Sequence, residues 1–72
     1  MKIEVLMFGH VAEAVESELK GLKTFEESHN RISFICTESR FTKIYNAVRE
    51  SNFNPFAAMA WNEIAPKGRA TK

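Results

Sequence analysis

A single cysteine, Cys36, stands in a chain of 72 residues, so no internal disulfide can form. That count constrains the fold most, because small domains with little apolar surface to bury usually lean on disulfides, a metal or a second chain. A chain of about 60 residues buries only about 60% of the surface its unfolded form exposes. Stability must come from a well-patterned core, from association, or from both. Hydrophobic residues are 44% of the sequence and charged residues 26%, ordinary globular usage that argues against a collagen-like or wholly disordered chain. A lone thiol fits a reducing compartment better than a secreted disulfide scaffold, so the expected location is cytoplasmic. The first apolar run is short and carries Glu4, unlike a signal peptide. No stretch approaches the roughly 18 consecutive apolar residues of a membrane span.

Hydrophobic periodicity sets the expected elements. Residues 2–8 (KIEVLMF) place Ile3, Val5 and Met7 on one face and Glu4, Leu6 and Phe8 on the other, a strand with two largely apolar faces. Gly9-His10 breaks it. Val11, Ala12, Val15, Leu19 and Leu22 then follow helical spacing, which predicts an amphipathic helix over about residues 11–21. Residues 22–27 alternate weakly, Ser28-His29-Asn30 supply turn chemistry, and residues 31–37 alternate through Ile32, Phe34 and Cys36; together they predict a β-hairpin. The alternative lets the first helix run on towards Glu27 and leaves one strand here. A second helix is expected from about Ser39 to Ser51, with Phe41, Ile44, Tyr45 and Val48 in one stripe. Thr37 or Ser39 can cap it, and Glu38 lies favourably at its positive end. Asn52 and Asn54 before Pro55 end it. Residues 56–64 read as a last strand, with helix as the local alternative because of the alanines.

The resulting order, β-α-β-β-α-β, is that of a ferredoxin-like α+β sandwich: a four-stranded antiparallel sheet with both helices on one face. Without the hairpin it becomes a three-stranded β-α-β-α-β unit. One domain is expected over residues 1–65, followed by a basic flexible tail over 66–72 that carries Lys67, Arg69 and Lys72.

Helices cover one sheet face only. With Ile3, Val5 and Met7 turned to the helices, Leu6 and Phe8 fall on the open face, joined by Ile35 and by Met59 or Trp61 from the last strand. An exposed apolar patch of that size marks an interface. The net charge of +1 hides a split: residues 1–30 sum to −3 and residues 31–72 to +4. A basic set comprising Arg31, Arg40, Lys43, Arg49, Lys67, Arg69 and Lys72 therefore forms a second candidate surface, for nucleic acid. Without its tail the body is slightly acidic, which demotes that class. The strand 31–37 contains no glycine and one aromatic, so it lacks the signature of RNA-recognition modules.

Catalytic and metal chemistry is thin. The chain has no aspartate and no glutamine. His10, His29 and Cys36 match no paired zinc spacing, and structural zinc takes four ligands; no metal and no cofactor are expected. Cys36 on an apolar strand reads as a small buried hydrophobe. The carboxylates Glu13, Glu16 and Glu18 read as a solvated helix face, and Phe53 and Phe56 as loop aromatics that pack locally. His10, at a β-to-α junction, is the best single candidate for a catalytic group. The opening Met1–Gly9 is similar to the first strand of the ubiquitin-like sulfur carriers, but in that family a hairpin follows, whereas here the helical period begins at once; the family is set aside.

These features predict a small non-enzymatic interaction or regulatory module, of the accessory or inhibitor kind, that works through an apolar sheet face as a homodimer or with another protein. A nucleic-acid-binding regulator is the alternative, and an enzyme subunit that needs a partner chain is the third reading. No membrane partner is expected.

Overall fold

The computed structural model describes residues 2–64. The chain is α+β, with the order β1 (Lys2–Phe8), α1 (Gly9–Ala14), a 3-10 turn (Glu16–Leu19), β2 (Phe25–Glu27), β3 (Arg31–Thr37), α2 (Glu38–Glu50), α3 (Pro55–Ala58) and β4 (Met59–Ile64). The four strands form one sheet in the order β2-β3-β1-β4, with every neighbouring pair antiparallel. The hairpin is therefore present, and the three-stranded alternative does not hold. The basic tail expected over 66–72 lies outside the described residues.

Alternation along β1 sorts the sheet into two faces, because successive strand side chains point to opposite sides. Ile3, Val5 and Met7 are buried and pair with Cys36, Phe34 and Ile32 of β3. Val11, Ala12 and Val15 from the first helical segment and Ile44 and Val48 from α2 close over them in one core cluster. Phe34, Met7, Ile44, Val5, Val11 and Val48 are almost wholly buried, each stabilising the fold by about 1.5–3 kcal/mol relative to exposure.

Local chemistry explains the element ends. The Thr37 hydroxyl accepts from the Arg40 N–H at 3.3 Å, capping α2, with Glu38 in its first turn and Arg49 in its last, as the helix dipole favours. Asn52 takes a left-handed conformation, φ 70°, and ends that helix. The Asn54 side-chain oxygen accepts from the Phe56 N–H at 3.0 Å, and Pro55 occupies the first helical position of α3, where a missing N–H costs nothing. The last strand is shorter than expected for this reason: Phe56–Ala58 are drawn into that helical turn, and pairing begins only at Met59.

The first helix also differs from expectation. It starts earlier, at Gly9, and ends at Ala14, after which Glu16–Leu19 tighten into a 3-10 turn. A tertiary contact holds that turn in place. The Arg40 guanidinium donates to the carbonyls of Glu18 at 3.3 Å and Lys20 at 3.0 Å, anchoring these carbonyls to the N-terminus of α2. No apolar spacing within residues 11–21 encodes that contact. Among the described residues no helix is long and apolar enough to cross a membrane.

Candidate functional site

The sheet face turned away from the helices is the candidate site, and strand register builds it row by row. One row crosses all four strands as Phe25, Ser33, Leu6 and Ala60. The row on one side holds Glu27, Arg31 and Phe8, and the row on the other holds Ile35, Glu4 and Asn62. Thr37, Lys2 and Ile64 complete the face. Among the described residues, Phe8 (38% exposed), Phe25 (52%) and Ile35 (50%) are left partly open to water on this side, and Leu6 is half-buried. Three large apolar side chains partly exposed on one sheet face, interleaved with Ser33, Arg31 and Glu4, are a feature of interaction surfaces.

The patch is not flat. Ser33 and Ala60 are small, and the face between them and Asn62 dips into a shallow hollow of about 360 Å³ whose lining includes Glu4, Leu6, Ser33 and Ala60. The Ser33 hydroxyl donates to the Glu27 carboxylate at 2.8 Å, and the Lys23 ammonium sits over the Phe25 ring, 5.6 Å from its centroid. Both charge signs therefore border the apolar centre.

Leu6, Phe8 and Ile35 lie on the open face, where periodicity placed them. Met59 and Trp61 do not. Register pairs Met59 with Met7 and Trp61 with Val5, so both face the helices, with Met59 buried. Trp61 packs in an aromatic cluster with Phe41 (5.1 Å between centroids), Phe56 (5.7 Å) and Tyr45 (5.9 Å, perpendicular). Phe25 is the open-face residue that periodicity missed. Its strand is three residues long, too short for alternation to register, and its signal was a lone aromatic in an otherwise polar segment.

Among the described residues, Arg31, Arg40, Lys43 and Arg49 are not gathered into one stripe. Arg31 lies on the open face, Arg40 is half-buried and spends its guanidinium on the 3-10 turn, and Lys43 and Arg49 are exposed on α2, the helix that covers the opposite sheet face. Lys67, Arg69 and Lys72 lie outside the described residues.

His10 is exposed at the start of α1, its ring stacked on Phe8 at 5.9 Å and met edge-on by Phe53 at 5.7 Å. That makes it a packing partner at the corner of the open face. Cys36 is buried on the core face; burial pushes its thiol pKa up, against a smaller downward pull from the Arg40 charge. A thiol held in its protonated form is a poor nucleophile. Glu13 and Glu16 are exposed and, with Glu26 and Lys20, border an open groove of about 1320 Å³ between the first helix and the hairpin. Among the described residues no three His, Cys or Glu side chains gather as a metal site. Neither a family model, nor a curated protein, nor a solved structure matches the chain.

Proposed function

We propose that this chain is a small non-enzymatic interaction module of ferredoxin-like architecture that recognises protein through its open sheet face. The strand order β2-β3-β1-β4 with antiparallel pairing supports the architecture. The observation that carries the function is the exposure of Phe8, Phe25 and Ile35 together around Leu6 on one face of the sheet. Side chains of this size gain about 1.5–3 kcal/mol each in passing from full exposure to full burial, and roughly half of that from the half-exposed state they hold here. A protein partner supplies that burial, and bordering charges of both signs set orientation more than affinity.

Ile35→Glu tests the reading. Residue 35 is half exposed, so the charge is tolerated by the fold while the patch is spoiled. Proteins retained from a native-host lysate by the tagged chain are expected to be lost with Ile35→Glu and kept with Lys43→Glu on α2. Retention that ignores Ile35→Glu removes the open face from the mechanism.

A further inference from the structure

We propose that the outer margin of β4 receives an extended strand from another protein, one that sets an apolar side chain opposite Trp61 and a lysine or arginine opposite Glu63. The inference goes beyond the open-face reading and draws on none of its residues. Among the described residues β4 ends the sheet, with β1 on one side and no strand on the other. Hydrogen bonds where β1 meets α1 and where α3 meets β4 decide which backbone groups point outward. In an antiparallel pair, opposed residues alternate between those that exchange backbone hydrogen bonds and those that do not, so successive residues turn their N–H and C=O to opposite sides of a strand. The Gly9 N–H donates to the Asn30 carbonyl at 2.7 Å, one step beyond the Phe8–Arg31 pair. Met7, Val5 and Ile3 therefore turn their backbone groups to β3, and Leu6, Glu4 and Lys2 turn theirs to β4. Their partners there are Ala60, Asn62 and Ile64, which leaves Met59, Trp61 and Glu63 pointing outward. The Met59 N–H agrees, since it donates back to the Pro55 carbonyl and not to β1. The margin thus offers the N–H and C=O of Trp61 and Glu63, and the complement of such a margin is another strand.

Side chains settle what kind of strand fits. Residues opposed across a sheet share a face, so the partners of Trp61 and Glu63 lie on the helix-facing side, beside α3. Phe56, 75% exposed, stands there with its ring 5.7 Å from that of Trp61. An apolar residue opposite Trp61 shields both rings from water. Glu63 is the one charged side chain in β4 and is exposed, so a cation opposite it completes the match. A second β4 supplies none. Antiparallel registers that oppose the outward residues set Trp61 on Trp61, Trp61 on Glu63, or Glu63 on Glu63, and the strand contains no lysine or arginine. Charge therefore assigns the margin to a different, basic strand.

Peptides selected from a displayed random library on the full chain test the margin. The expected binders share a lysine or arginine two positions from an apolar residue. Amide hydrogen exchange reads the site: in the chain alone Trp61 and Glu63 exchange fast while Ala60 and Asn62 are protected, and a bound peptide slows Trp61 and Glu63 at least tenfold. Glu63→Lys is expected to weaken these peptides at least tenfold and to select acidic residues in place of the basic one. Glu63→Pro removes the outward N–H at a sheet margin, where proline is tolerated, and should lose more binding than Glu63→Gln. Ile35→Glu leaves binding unchanged, so the margin and the open face stand or fall separately. The margin is overturned by a selection that yields no binder, by binders that slow amides elsewhere, or by Trp61 and Glu63 amides already protected in the chain alone. A dimer joined through β4, seen in sedimentation and lost with Glu63→Pro, puts a second copy in place of the partner strand and overturns the occupant.

Discussion

The Gly9 N–H donates to the Asn30 carbonyl at 2.7 Å, which ties the junction between β1 and α1 to the turn of the β2-β3 hairpin. The approach is so close that a Cβ at Gly9 would stand 3.2 Å from that same oxygen. Asn30 and His29 both hold left-handed backbone, φ 59° and 64°, a conformation that non-glycine residues adopt at a cost. The turn has little room to retreat. Gly9→Ala is expected to lower stability by about 1 kcal/mol, and Gly9→Val by about 2–3 kcal/mol, through overpacking. Urea denaturation checks this, and an unchanged slope against denaturant would show that the native state is weakened rather than reorganised.

Arg40 anchors the 3-10 turn. Arg40→Ala removes both hydrogen bonds to the carbonyls of Glu18 and Lys20 and is expected to cost about 1–3 kcal/mol. Arg40→Lys keeps the charge, but its stem is one bond shorter and does not reach the place of the Nη1 nitrogen that donates to both carbonyls, so it should recover less than half of the loss. Hydrogen exchange is the decisive measurement: amides of residues 16–22 are expected to exchange faster in Arg40→Ala while those of β1 and β3 keep their protection.

Trp61 belongs to the core side of the sheet, which reverses the expectation that it lies on the open face. Trp61→Ala strips the packing from Phe41, Tyr45 and Phe56 in a partly solvent-open cluster, and the expected loss is about 1–3 kcal/mol with a drop in melting temperature. Ile35→Ser, on the opposite face at an exposed position, is expected to change monomer stability by less than about 0.5 kcal/mol. Equal effects of the two substitutions would contradict the assignment of Trp61 to the helix-facing side.

Cys36 gives the chain a pH dependence at its alkaline end. Its thiol pKa is raised above the ordinary 9.0 in the folded state, so the unfolded chain gives up the proton first. The stability contributed by the neutral thiol is complete below that ordinary value and is lost as pH rises through the higher folded value. Chemical denaturation between pH 8 and pH 11 is therefore expected to show falling stability, with a smaller fall in Cys36→Ala. Alkylation at pH 8 should be slow in the native chain and rapid in denaturant.

Much of the fold is legible in the sequence because β1, β3 and α2 carry clean periods. Phe34 alternates with Ser33 and the smaller Ile35, Glu4 marks the outer face of β1 although both of its faces are largely apolar, and Ile44 and Val48 recur at helical spacing; burial follows these patterns. The fourth strand was harder. Met59, Ala60, Trp61 and Ile64 put apolar residues on both faces, so alternation alone leaves its register open by one step. Pro55 and Asn54 settle it by building α3, which uses up Phe56 to Ala58 and starts pairing at Met59. The contrast of Met59 and Trp61 with the smaller, more polar Ala60 and Asn62 was the signal that could have placed Trp61 correctly. For the candidate site, Leu6, Phe8 and Ile35 were readable from β1 and β3, while Phe25 emerged only when the hairpin register set it beside Ser33. The break in the first helix was not readable: Val11, Ala12, Val15, Leu19 and Leu22 keep helical spacing straight through it, and the Arg40 contact that holds the turn comes from another element.

The three-residue length of β2 bears on how copies of this chain can assemble without limit. A long bare strand at the margin of a sheet is a template that recruits the next chain, and the next, into a filament. Here one margin offers only Phe25–Glu27, with two carboxylates to repel an identical neighbour. Growth through that margin is starved of partners. Any further strand is directed to the opposite margin, where β4 runs six residues.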